Sequence, residues 1–198
     1  MPEYRRRLPH IHPGDVHLFI TSRLHGSMPA KPGPIIYPTP GRAFAAQDRI
    51  LDQRSSGPLW LKDHRIGDLV SQAFLIGETE RNFYRLAAWV VMPSRVHMLI
   101  RPLVPVSTTM RWLKGSTART ANRILDRTGK PFWQDESWDH CLRTPRQIDR
   151  VAAYIENNPV SPGLVSVAQD WLWSSAGWQA KPPAPQPSQN NQFAIAIA

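Results

Sequence analysis

Apolar residues return along this chain at two periods. A period of two marks short strands: His17 to Arg23 is one β-rich run, and Leu86 to Met92 and Val96 to Ile100 are two more. Pro93, Ser94 and Arg95 part the last two, which therefore read as a hairpin. Helical spacing places Ile66, Leu69, Val70, Ala73 and Phe74 on one stripe, and Met110, Leu113, Thr117, Ala121 and Ile124 on another, in a helix from Thr108 to about Arg127. A third helix has the clearest start. Thr144 can cap it, Pro145 suits its first turn, and Gln147 completes a T-x-x-Q capping box ahead of Ile148, Val151, Ala152 and Ile155. Pro159 stops it near Asn158. Strand, helix, hairpin, helix and helix, with room for one further strand, predict an α+β fold: an antiparallel sheet with helices packed on it.

Proline sets the limits of that plan. Five of the twenty prolines fall with Gly26, Gly33 and Gly41 in residues 26–42, which predicts an exposed loop. Residues 179–198 are nearly uncharged and rich in Gln, Asn, Ala and Pro, the composition of a disordered tail. Residues 1–15 read as a flexible N-terminal segment, leaving 16–178 as one folded domain of a 198-residue chain. No stretch approaches about 18 uninterrupted apolar residues, so no membrane span is expected. The single cysteine, Cys141, excludes an internal disulfide and Cys-rich zinc sites, which fits a cytoplasmic protein.

Charge narrows the partner. Twenty-four Lys and Arg against fifteen Asp and Glu give +9 and a pI near 10.4, a field that attracts polyanions, nucleic acid first among them. In the second helix Arg111, Arg119, Arg123 and Arg127 lie broadly opposite the apolar stripe, with Ser116 and Asn122 among them, and only Asp126 balances them. Such a row suits phosphate oxygens. On the hairpin, strand alternation puts Arg95, His97 and Leu99 on one face and Val96, Met98 and Ile100 on the other. In the third helix Tyr154 and Asn158 sit one turn apart, and Tyr154 falls off the apolar stripe on a flank shared with Gln147 and Arg150. Trp60, Trp89 and Trp112 are candidates for stacking on unpaired bases.

Taken in order, these segments resemble the REP-associated tyrosine transposases, a branch of the single-tyrosine HUH transposases (transposase IS200-like). Ala88-Trp-Val-Val-Met-Pro-Ser-Arg-Val-His-Met-Leu-Ile100 is similar to the family's A-Y-V-V-M-P-N-H-V-H-L-L. Leu113-Lys-Gly-Ser-Thr-Ala-Arg119 is similar to its L-K-G-x-T-A-R helix, and Phe132-Trp-Gln134 with Trp138-Asp-His-Cys-Leu-Arg143 to its W-Q and aromatic-D-H-x-x-R segments. Tyr154-Ile-Glu-Asn-Asn-Pro-Val160, Gly163-Leu-Val165 and Trp171-Leu-Trp-Ser-Ser175 follow its Y-I-x-x-N-P-V, G-L-V and W-x-W-S-S. The resemblance implies a ferredoxin-like sheet that recognises DNA hairpins and cleaves and rejoins an adjacent single strand. It implies Tyr154 as nucleophile, forming a 5′-phosphotyrosine, and a divalent ion, Mg²⁺ or Mn²⁺, held in part by His97 and Asn158. The DNA-binding set it suggests is Arg95, Lys114 and the helix arginines 111, 119, 123 and 127. A homodimer is among the assemblies the sequence allows.

One position departs from the pattern. The His-hydrophobic-His pair of the family stands here as Arg95-Val96-His97, and a guanidinium has five donors and no lone pair for a metal. The expected ion is therefore weakly held or lost, and the competing reading is a hairpin-DNA-binding protein with little or no nicking. His140 and Glu136, just before the tyrosine helix, are the candidates for a replacement ligand. His10-Ile11-His12 repeats the motif literally, but Pro9 and Pro13 flank it and it lacks a strand context. A third reading, an RNA-binding ferredoxin-like module, lacks an aromatic run on paired strands.

Overall fold

The computed structural model describes residues 16–27 and 57–180. The N-terminal segment with His10 and His12, the Pro-rich loop beyond Ser27, Tyr37 within it, and the tail beyond Ala180 lie outside the described residues. Four strands form one antiparallel sheet: β1 (His17–Arg23), β2 (Tyr84–Val91), β3 (Arg95–Pro102) and β4 (Trp138–Leu142), in the order β2-β3-β1-β4. This is the α+β, ferredoxin-like arrangement expected from the sequence. Helices α1 (His64–Thr79) and α2 (Val106–Ile124) follow β1 and β3, α3 (Pro145–Asn157) follows β4, and the short α4 (Ser175–Ala180) closes the described chain.

The period-two alternation divides the core into two layers. Leu18, Ile20, Trp89, Val91, Val96, Met98 and Ile100 face α1 and α2, whose stripes of Ile66, Leu69, Val70, Ala73 and Phe74, and of Leu113 and Ala121, are buried against them. Phe19, Ala88, Val90, Leu99 and Leu142 face the other way and are covered by Ile155, with Ile148, Val151, Ala152 and Tyr154 packed alongside. Thus α1 and α2 share one face and α3 takes the other.

Local signals hold these helices in place. Asp63 caps α1 by accepting from the Arg65 backbone N–H at 3.0 Å. The Arg65 guanidinium bonds the same carboxylate and holds its pKa below the ordinary value. Gly77 lets β2 pass close to α1: a Cβ there would meet the Tyr84 hydroxyl, which donates to the Phe74 carbonyl at 2.8 Å. Helix α2 begins at Val106, just after Pro105, and ends at Ile124, slightly earlier at both ends than its periodicity indicated; at the C-terminal end Asp126 at φ 53° turns the chain out of the helix. For α3, the Thr144–Gln147 capping box is present with both of its hydrogen bonds.

Beyond α3 the chain returns to the β2 edge. Val91 N–H donates to the Trp173 carbonyl at 2.8 Å, Trp171 Nε1 donates to the Val91 carbonyl at 2.9 Å, and Ser174 bridges Val90. Ser175 Oγ accepts from Trp89 N–H at 3.2 Å and donates to Glu156 of α3 at 2.8 Å. The W-x-W-S-S segment therefore joins the sheet edge to the helix that carries Tyr154. Among the described residues, no helix is long and apolar enough to cross a membrane.

Candidate nucleic-acid strand-transfer site

The β3 face covered by α3 presents Arg95 and His97, as alternation requires. Both are buried, Arg95 at 1% exposure and His97 at 0%. Asn158, the C-cap of α3, is 4% exposed and reaches the same place from the other side. The spacing of one turn between Tyr154 and Asn158 does what the sequence indicated: Tyr154 is half-buried on the helix flank, its ring centroid 6.1 Å from that of His97 and 6.1 Å from that of Phe19. A nucleophile candidate, an imidazole and a carboxamide thus come together across two elements.

Arg95 stands at the centre of this group. Its Nε donates to His97 Nε2 at 3.2 Å, and one terminal nitrogen donates to Asn158 Oδ1 at 2.9 Å. Because His97 Nε2 accepts, the neutral ring carries its proton on Nδ1, which donates to Thr21 Oγ1 at 2.8 Å. Thr21 lies directly opposite His97 on β1, so the sheet register fixes the ring. The two atoms that would ligate a metal both direct lone pairs at a guanidinium. Among the described residues no group of three or more His, Cys, Asp or Glu could hold a metal ion. A divalent ion about 4 Å from the guanidinium would meet a repulsion of roughly 8 kcal/mol at an effective dielectric of about 20. The residues present do not fit the ion.

His140 and Glu136, the candidate replacement ligands, are both exposed. His140 stacks on Trp138, ring centroids 5.7 Å apart, and pairs across the sheet with Phe19, not with Thr21 beside His97.

The cationic row of α2 is rearranged by the structure. Arg111, Arg119 and Arg123 are exposed, as expected. Arg127 lies past the helix end with its guanidinium 3.8 Å from the Trp60 ring centroid, and Lys114 donates to the Gln134 carbonyl at 2.8 Å. Ser116 and Asn122 are buried and bond the Trp112 and Lys130 carbonyls. Lys114 and Asn122 tie the 130–135 segment to the helix, and Ser116 bonds back within the helix itself. Arg95 likewise is an interior group. Of the three tryptophans, Trp89 is buried against Phe74, Trp60 lies between Arg127 and Phe132, and Trp112 is half-buried beside Phe83.

The structure also assigns sides, which the sequence left open. α2 and α3 cover opposite faces of the sheet, so the α2 arginines do not stand beside Tyr154. Arg143, Arg146 and Arg150, in α3 and just before it, are exposed cations. Arg146 and Arg150 precede Tyr154 by eight and four residues, which puts all three along one flank. That i, i+4 spacing was the signal available for them.

The transposase IS200-like family model matches residues 69–158, the span from α1 through Asn158. A curated protein of Haemophilus influenzae, named "Putative REP-associated tyrosine transposase", is 39% identical over 44 residues, 22% of this chain and 25% of that protein. The match thus spans about a quarter of that relative. A solved structure of a REP-associated tyrosine transposase bound to a REP hairpin is similar over 90% of this chain and 84% of the other, with a TM-score of 0.56 and 20% identity. The motif resemblance and these comparisons name the same family, and the solved structure shares the fold.

Proposed function

We propose, from the match of residues 69–158 to the transposase IS200-like family model, that this protein binds hairpin DNA with its adjacent single strand, and that Tyr154 is its strand-transfer nucleophile. The observation that carries the reading is the meeting of Tyr154 and Asn158 of α3 with His97 of β3. The hairpin in the solved relative of similar fold supports the choice of DNA. Arg146 and Arg150 give the flank of Tyr154 the charge that a strand's phosphates need, and Arg111, Arg119 and Arg123 extend the positive field over the opposite face.

In the reaction the Tyr154 oxygen bonds to phosphorus, the bond to the 3′ oxygen breaks, and the tyrosine proton is matched by the proton gained by the released 3′-hydroxyl. The phosphodiester energy stays in the 5′-phosphotyrosine, so the reverse attack rejoins strands without a nucleotide cofactor. A tyrosine ionising near pH 10 is a weak nucleophile, and no step is assigned to a divalent ion, whose place these residues do not provide. Nicking is accordingly slow or absent: losing one good transition-state donor already costs about 10²- to 10³-fold.

The test uses the full chain with an end-labelled hairpin bearing a single-stranded flank. Salt-dependent retention of the hairpin is expected, and any adduct seen on denaturing electrophoresis disappears in Tyr154→Phe. Absence of hairpin binding at low salt overturns the DNA reading, and an adduct that survives Tyr154→Phe overturns the nucleophile.

A further inference from the structure

We infer that the Arg95 guanidinium takes the place of a divalent ion: it is a resident cation that clasps the tyrosine helix to the sheet by binding the two atoms a metal would take. This deepens the preceding reading and rests on its assignment of His97 and Asn158 as the remains of a ligand set. Three observations carry it. The guanidinium reaches both atoms at once, His97 Nε2 at 3.2 Å and Asn158 Oδ1 at 2.9 Å, with donors that a planar fork holds in fixed relation. It does so from the position two residues before His97, on the same strand face, where its stem is already directed at the helix. The group is also buried, with 1% exposure, so it belongs to the interior of the protein in the absence of DNA.

Chemically, an ion and a guanidinium serve these two acceptors alike, by drawing lone pairs from separate elements to one centre of positive charge. The guanidinium is always charged and covalently retained, so the clasp is independent of metal supply and of chelators. It also excludes the ion, because both acceptor atoms are engaged and the position already holds +1.

Mn²⁺ is the probe, measured without DNA by electron paramagnetic resonance and by thermal melting of the full chain in EDTA or in the metal. The natural chain should bind no Mn²⁺ at this site at about 1 mM and melt at the same temperature under both conditions. Arg95→His should melt roughly 4–10 °C lower in EDTA, as loss of a buried bridging group implies. It should regain that shift in Mn²⁺, and lose the regain when Asn158→Ala is added. A merely structural arginine gives the first loss but no rescue by metal.

A natural chain that binds Mn²⁺ and loses it on Asn158→Ala overturns the inference. So does an Arg95→His chain that is folded by circular dichroism yet binds no Mn²⁺. If Arg95→His does not fold, the natural-chain titration alone decides. Hairpin binding by the natural chain is measured separately: its failure would overturn the functional reading and leave the clasp standing.

Discussion

Replacing Thr21 by Val tests the arrangement around His97 with the least disturbance. Threonine and valine have nearly the same shape and both favour strands, so β1 is left intact and one hydroxyl is lost. In the structure that hydroxyl sits 2.8 Å from His97 Nδ1, with Thr21 3% exposed and the imidazole fully buried. Without it the Nδ1 proton has no acceptor from β1. Moving the proton to Nε2 would aim it at the Arg95 Nε–H, donor against donor. Stranding one buried polar group costs about 1–3 kcal/mol, so a loss of about 2 kcal/mol is expected. In a chain of this size that lowers the melting temperature by roughly 4–8 °C. Urea denaturation of the natural chain, Thr21→Val, Arg95→Met and the double variant would measure the cost, with a coupling of at least about 0.5 kcal/mol between the two positions. A cost below about 0.5 kcal/mol together with additive behaviour would refute the idea that Thr21 sets the tautomer Arg95 requires.

Two further expectations follow from other parts of the molecule. Arg146→Ala with Arg150→Ala should weaken retention of the single-stranded flank and lower the salt slope by about 1.4 for two lost phosphate contacts, whereas Arg119→Ala with Arg123→Ala, on the opposite face, should not discriminate between hairpins with and without the flank. A titration in salt on both substrates checks this, and equal effects of the two pairs on the flank would contradict it. Burial, with the nearby Glu78 charge, pushes the Tyr84 hydroxyl well above its ordinary value. An unfolded tyrosine ionises near 10, so this contribution to stability is complete below about pH 10 and is lost as pH rises through the folded value. Tyr84→Phe should be less stable at pH 8, lacking the bond to the Phe74 carbonyl, but lose less between pH 9 and about 11 in urea titrations.

Much of the fold was legible because the signals for its elements are local. The Thr144–Gln147 box, the stripes of α1 and α2, and the alternation that sends Arg95 and His97 to one face each lie within a few residues. The strand β4 was harder to read, since Trp138–Leu142 is mostly half-buried and exposed in turn and has no apolar run. The sides of the sheet were not legible at all: nothing in the α2 sequence says that α3 will cover the other face. Nor does a helical wheel show that Lys114 and Asn122, polar by type, are occupied in holding residues 130–135. For the site, sequence reading reached Arg95, His97, Tyr154 and Asn158 through motif positions. That Arg95 fills the space between its neighbours depends on a contact across 63 residues, which only packing specifies.

The run of Trp171–Ser175 along β2 has a consequence for how the protein behaves among other chains. The stretch Ala88–Val91 is apolar on both of its faces, feeding one core layer with Trp89 and Val91 and the other with Ala88 and Val90. Left bare, such an edge is the kind that recruits strands from neighbouring molecules and seeds aggregates. Here Trp171, Trp173 and Ser174 occupy its hydrogen-bonding groups, and Ser175 fastens the cover to Glu156 on the helix that bears Tyr154. Colloidal safety and the integrity of the site therefore depend on one five-residue seam. A chain in which that seam peels away would lose its grip on the tyrosine helix and become adhesive in the same event.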